Sequence, residues 1–277
     1  SMTMLSINTN IGALNASQSS YSVNNSMETS MARLSSGKRI NSAADDAAGL
    51  QVIRRMDTEI QGLNQAVRNA ADAQALLQTA EGALDEVHTI LLRIRELSVQ
   101  ASNGTYGAQD RLAMQAEVTD LQSEITRISN DTTWNSISLI EGTQASGITF
   151  QIGADNGQTV SVEIKSIALS NLSIGGSSQV TTASNAQSYI AAVDKAVSVI
   201  STNRGTYAAA INRLEHSVAN MQDAAVNLSE AKGRIEDTDF AAETANLAKN
   251  QILQQAATAM LAQANASKGT VLTLIQG

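Results

Sequence analysis

QSYIAAVDKAVSVISTNRGTYAAAINRLEHSVANMQDAAVNLSEAKGRI, residues 187–235, decides the fold class. Its apolar residues fall at Ile190, Val193, Val197, Ile200, Tyr207, Ile211, Leu214, Val218, Met221, Ala225, Leu228 and Ile235, in steps that alternate three and four. That spacing is a heptad seam and predicts a left-handed coiled-coil contact. Two beats are missing, at Arg204 and Lys232. Polar residues in a seam more often fix register than carry chemistry. A matching seam uses Ile60, Leu63, Val67, Ala70, Ala73, Leu77, Ala80, Leu84, Val87, Leu91 and Ile94. The step from Ala70 to Ala73 is three where four is due, a stammer that overwinds the coil locally. Two such segments running in opposite chain directions predict a mainly α fold, a long antiparallel coiled-coil helical bundle.

The rest of the chain fits around these seams. A third helix, roughly Gln109 to Ser129, carries Leu112, Val118, Leu121, Ile125 and Ile128 on one face, after a stop signal at Asn103-Gly104. Residues 143–183 change character and are rich in Gly, Ser and Thr. Ile148, Phe150 and Ile152 alternate with polar residues, as do Val160, Val162 and Ile164, and Asp155-Asn156-Gly157 lies between them. This predicts one small β-hairpin at about 148–164, followed by a loop at 175–184. A lone hairpin is marginal in water, so it must rest on the bundle. The two ends, RLSSGKRINSAADDAAGL (33–50) and GRIEDTDFAAETANLAKNQILQQAATAMLAQAN (233–265), are small-residue rich and helically patterned. Patterned ends predict an interface, because unanchored termini fray.

Composition narrows the function. Proline and cysteine are both absent from the 277 residues, which removes helix kinks at proline, disulfides, thiolate metal sites and a cysteine nucleophile. Aromatic residues make up 3%, so the core is built from Ala, Leu, Ile and Val, which suits close helix packing. A net charge of −8 argues against a nucleic-acid partner. No apolar run reaches the length of a membrane span, so no membrane insertion is expected. The first residues lack a basic region followed by an apolar block, so a cleavable secretion signal is not expected either.

Several residues invite a chemical reading and do not sustain it. His88 and His216 are the only histidines and have no second ligand at helical zinc spacing, so they read as surface or seam residues. Asp45-Asp46 sits near Arg39, Arg54 and Arg55, which favours ion pairing or charge at a helix N-terminus over an acid–base dyad. Glu236-Asp237-Thr238-Asp239 lacks the glycine and ligand spacing of a calcium loop. Gly175-Gly176 lacks the lysine of a phosphate loop. No nucleophile–base pair is legible, so no enzyme, metal or cofactor is expected.

LSINTNIGALNA (5–16), RLSSGKRINSAADDAAG (33–49), TAEGALDEVHTILLRIRELSVQASNGT (79–105), FQIGADNGQT (150–159) and RIEDTDFAAETANLAKNQILQQAATAMLAQAN (234–265) all resemble blocks of bacterial flagellin, in the same order. The resemblance covers 1–165 and 186–277 and is to a short form lacking the variable outer domains. It departs at the tail NASKGTVLTLIQG (265–277), which lacks a proline common in the family. The resemblance implies a structural subunit of a hollow helical filament, the propeller for motility. It implies an inner coiled coil of 1–36 with 241–277, a connecting spoke of 37–57 with 228–240, and an outer wall of 58–227. Polymerisation would then involve Leu5, Ile7, Ile11, Leu14 and Leu34 at one end, and Leu247, Leu253, Met260, Leu261 and Leu274 at the other. Alternatives are a hook–filament junction protein of the same superfamily or a flagellin-like surface binding protein.

The implied partners are many copies of the chain itself, the flagellar cap and hook–filament junction proteins, and an export chaperone. The implied location is the extracellular filament, reached by type III export without signal cleavage. LLRIRELSVQ (91–100) also resembles the segment gripped by vertebrate toll-like flagellin receptors, which matches Arg93, Leu97 and Glu117 to receptor-contacting positions.

Overall fold

Helices form where the sequence places its seams. The computed structural model describes residues 8–276. In chain order it comprises α1 (Ile11–Ser36), α2 (Ala47–Ser102), α3 (Ala108–Asp131), β1 (Thr133–Trp134), β2 (Ile137–Ser138), β3 (Ile148–Gln151), β4 (Thr159–Val162), α4 (Leu169–Leu172), α5 (Ala183–Glu236) and α6 (Phe240–Gln276). Among the described residues no helix is long and apolar enough to cross a membrane. The chain divides into two units, residues 1–58 with 227–277 and residues 59–226, so both boundaries fall inside long helices.

The 59–226 unit has a closed core. From α2 it takes Leu77, Leu84, Leu91 and Ile94, from α5 Val193, Ile200, Tyr207 and Leu214, and from α3 Val118 and Ile125, all fully buried or nearly so. The stammer residues Ala70 and Ala73 are also buried, where small side chains serve close packing. Ion pairs fix the direction of the two long helices. Arg204 Nη2 lies 2.7 Å from Glu81 and its Nη1 lies 2.9 Å from Asp85, while Arg95 Nε lies 2.7 Å from Asp194. As α2 advances its partners on α5 recede, so the pair is antiparallel. Leu112, expected on the buried face of α3, is exposed instead, and the face is completed by Met114, Gln115 and Gln122. The two glutamines are needed there because their amides bond the chain that follows β4. Gln115 Oε1 accepts from Val180 N–H at 2.8 Å, and Gln122 Nε2 donates to the Ile174 carbonyl at 2.7 Å.

The expected hairpin is β3 paired antiparallel with β4, in the register Ile148 to Val162 through Gln151 to Thr159. Its loop turns at Gly157, whose φ of +84° is a left-handed conformation that glycine adopts without strain. It rests on α2 as a lone hairpin must. Asn69 Nδ2 donates to the Gln151 carbonyl at 3.0 Å, and Gly62 leaves room for Ala154, which would lie 2.9 Å from a Cβ at that position. The structure adds a second, smaller antiparallel pair, β1 with β2, whose turn residues Asn135 and Ser136 have φ of +46° and +65°. Both central residues at positive φ mark the mirror-image turn that matches strand twist.

The other unit is built differently. α1 and α6 run antiparallel, with Asn10 Nδ2 donating to the Ala264 carbonyl at one end and Arg33 3.7 Å from Glu243 at the other. Their shielded faces follow heptad spacing and are mixed: Ala13, Ala16, Ser20, Ser30, Ala257 and Ala264 alternate with Val23, Met27, Leu34, Leu247, Leu261 and Val271. Asn10 caps α1 by accepting from Ala13 N–H, Gly37 ends it at φ +70°, and Asp239 caps α6 by accepting from Ala241 and Ala242 N–H.

Candidate assembly surfaces

The α1–α6 pair leaves large apolar side chains facing outward. Ile11, Leu14, Leu253, Met260 and Leu274 are exposed, Met260 by 65%. Leu34, Leu247 and Leu261 are half-buried. Leu5 and Ile7 lie outside the described residues. Sequence reasoning passed over Tyr21, Met31, Phe240, Ile252, Leu272 and Ile275, which are exposed on the same two helices. The missed signal was their place off the heptad-spaced face that runs Ala13, Ala16, Ser20, Val23, Met27, Ser30 and Leu34: every large apolar residue outside it is a candidate for intermolecular burial. A groove of about 450 Å³ runs between the helices, floored by Gly12, Ala16 and Ala264 and flanked by Met260.

A polar junction lies where this unit's segments cross. Lys232 Nζ lies 2.5 Å from Asp57 of α2 and 3.6 Å from Glu236. Lys38 Nζ reaches Glu236 at 2.6 Å, and Arg39 Nη2 donates to the Ile235 carbonyl at 2.8 Å. Asp57 beside it holds the Lys232 ammonium above its ordinary range, with burial opposing. Both vacant seam positions, Arg204 and Lys232, thus carry ion pairs between α5 and α2.

The remaining acidic and histidine candidates have local roles. Asp45 Oδ2 accepts from Asn41 and Ser42 N–H at 3.0 and 2.9 Å, and these backbone bonds hold its carboxyl below the usual range. Asp46 Oδ1 accepts from Gly49 N–H at the start of α2. Neither carboxylate forms an ion pair among the described residues: Asp46 takes the helix N-terminus, while Asp45 holds the loop at Asn41 and Ser42 before α2. His216 is exposed; His88 is half-buried, with Nδ1 enclosed and without a hydrogen-bond partner. Among the described residues no three His, Asp or Glu side chains converge on a metal position.

In the 59–226 unit, Arg93 is half-exposed. Its Nε lies 2.8 Å from Glu117 across on α3, and its Nη1 lies 3.0 Å from Glu96. Both carboxylates, Glu117 first, raise the guanidinium pKa, so Arg93 stays charged. Leu97 is only 2% exposed and packs in the core beside Ile94 and Ala101. It cannot present an apolar anchor at the surface. Leu92 and Val99, one heptad apart on α2, are the exposed apolar residues flanking Arg93 and Glu96.

Known proteins match this arrangement along nearly the whole chain. Residues 7–145 match the family model described as the bacterial flagellin N-terminal helical region, and residues 190–275 that of the C-terminal helical region. A flagellin of Halalkalibacterium halodurans is 42% identical over 271 residues, spanning 98% of this chain and 99% of the relative. The Bacillus subtilis flagellin and the flagellar filament 33 kDa core protein of Treponema phagedenis are each 39% identical, with the same coverage. Among solved structures, a Bacillus cereus flagellin has a TM-score of 0.51 at 30% identity, covering 60% of this chain and 94% of its own. A Vibrio parahaemolyticus protein described as flagellar hook-associated has a TM-score of 0.60 at 17% identity over 70% of this chain and all of its own, a likeness of fold alone.

Proposed function

We propose how the parts of this molecule divide their work, starting from the fact that the chain belongs to the bacterial flagellin family. It is a structural subunit of the flagellar filament and not an enzyme. It is a short form, since its relative of nearly equal length is matched end to end without a variable insertion. Residues 1–36 with 241–277 form the inner coiled coil, 37–57 with 228–240 the spoke, and 58–227 the wall. The supporting observation is the contrast between a closed core in one unit and large exposed apolar residues along α1 and α6 in the other. Such a surface is costly in water and is stabilised when neighbouring subunits cover it.

Chains lacking 1–36 or 241–277 test this division. They should remain helical by circular dichroism, because the wall keeps its core, and should fail to elongate filament seeds. Growth from seeds by either truncated form refutes it. The export route follows the same logic: the chain passes unfolded through the flagellar type III channel without signal cleavage, with a chaperone masking the exposed face of α6 beforehand. Cap and hook–filament junction proteins meet the two ends of the polymer. The surface around Arg93 and Glu117 is the site for a vertebrate toll-like receptor, with Leu92 and Val99 rather than Leu97 supplying apolar contact.

A further inference from the structure

Glu236 occupies an unfavourable place. It is the last residue of α5 and is 7% exposed. A carboxylate there stands at the negative end of the helix dipole and has lost most of its water, and both effects disfavour it. Two cations hold it, Lys38 Nζ at 2.6 Å and Lys232 Nζ at 3.6 Å, and Lys232 is in turn held by Asp57. Around this charge two backbone segments pair. Arg39 N–H donates to the Glu236 carbonyl at 2.6 Å and Thr238 N–H donates to the Gly37 carbonyl at 3.1 Å, giving an isolated antiparallel bridge of Lys38 with Asp237. The strands joined are 196 residues apart in the chain, as counted between Arg39 and Ile235.

The position of this bridge matters more than its strength. α1 ends two residues before Lys38, at Ser36, and α6 begins three residues after Asp237, at Phe240. α1 and α6 meet through a partly shielded heptad pattern of small and aliphatic side chains, and such a repeat can also be matched one heptad out of register. We propose that Glu236, paired with Lys38 and Lys232, is a positioning residue for polymerisation: it fixes where the two terminal helices leave the junction and so sets their register. The inference rests on the filament-subunit reading. An ion-paired cluster kept where burial and the dipole oppose its carboxylate is explained by what it aligns, since apolar residues in place of the whole cluster are often no worse for stability.

Full-length chains elongating from filament seeds supply the test. Glu236→Gln keeps the side-chain size and the backbone bridge but removes the charge. Elongation is expected to fall about tenfold or more, with helicity retained. The bridge also offers a rescue. Lys38 and Asp237 form a non-hydrogen-bonded pair, whose Cα atoms in such pairs lie about 4.5 Å apart. That is within the range of about 4.4–6.8 Å that a disulfide spans. The chain has no cysteine of its own. Lys38→Cys with Asp237→Cys, added to Glu236→Gln and oxidised, is expected to restore growth, and reduction to abolish it again. Three results overturn the proposal: wild-type growth by Glu236→Gln, loss of its helicity, or no rescue with the disulfide formed. Failure of the wild-type chain itself to grow from seeds would instead remove the filament-subunit reading, and this inference with it.

Discussion

Met260→Ala separates assembly from folding in one substitution. Met260 lies on α6 and is 65% exposed, so the monomer buries only about a third of it. Fully burying a side chain of this size stabilises by about 1.5–3 kcal/mol, so covering the exposed share in a filament is worth roughly 1–2 kcal/mol per subunit. Alanine has the highest helix propensity, so the backbone of α6 is not weakened by the change. A loss of that size corresponds to a factor of about 5–30 in an equilibrium constant. The critical concentration for polymerisation should rise by that factor, measured by pelleting filaments at increasing subunit concentration. The main helical melt should not move, because the core that sets it lies in residues 59–226 and excludes Met260. A critical concentration within about twofold of wild type would refute the reasoning, since it leaves less than about 0.5 kcal/mol for burial at this position. A clear fall in the main melting temperature would refute it from the other side, by making Met260 part of the folded core.

Leu84→Ala reverses this pattern: Leu84 is fully buried on α2, and urea unfolding should show a loss of about 3–5 kcal/mol for the transfer and cavity contributions together. Burial pushes the Tyr207 hydroxyl up to about 12 from 10.0, with the Lys165 backbone opposing. The folded state therefore disfavours the charged form, so this contribution to stability is complete below pH 10, is lost as pH rises towards 12, and should be absent in Tyr207→Phe when urea midpoints are compared across that window. Arg93→Ala should weaken receptor binding by monomeric subunits by roughly 1–3 kcal/mol in a titration, a usual hot-spot range; equal affinity would remove Arg93 from the proposed contact.

The long helices were legible because periodicity is a local property. The steps from Ile190 to Ile235 can be counted without knowing what they face, and the residues so counted are buried or half-buried in the folded chain. The partners of the missing beats were not legible. Arg204 meets Glu81 from 123 residues away, and no rule within one helix selects Glu81 and Asp85 from the other acids of α2. Leu97 shows a different failure. The seam on α2 was ended at Ile94, yet steps of three and four continue to Leu97 and Ala101, both buried. Carried seven residues further, the same count places Leu97 in the core. The β1–β2 pair escaped because two-residue strands show no alternation, and Asn135-Ser136 is a weaker turn signal than Asn-Gly.

The terminal helices resist prediction for a deeper reason. In residues 59–226 the pattern has one reading, because Leu, Ile and Val occupy the seam and polar residues the outside. On α1 and α6 the assignment divides. Small residues share the shielded face with half-buried Val23, Met27, Leu34, Leu247 and Leu261, while Ile11, Tyr21, Ile252, Met260 and Leu274 are exposed. A single-chain argument that assigns every large apolar residue to the inside would misplace these exposed ones. The arrangement is coherent only for a subunit whose outside becomes an inside. The shielded face of the pair is only partly buried, and outward Leu, Ile and Met leave much of its favourable burial to neighbours. Asn10 with Ala264 and Arg33 with Glu243 mark the alignment along the pair, and the bridge of Lys38 with Asp237, beside the Lys38–Glu236 ion pair, fixes it at the point where both helices leave the junction.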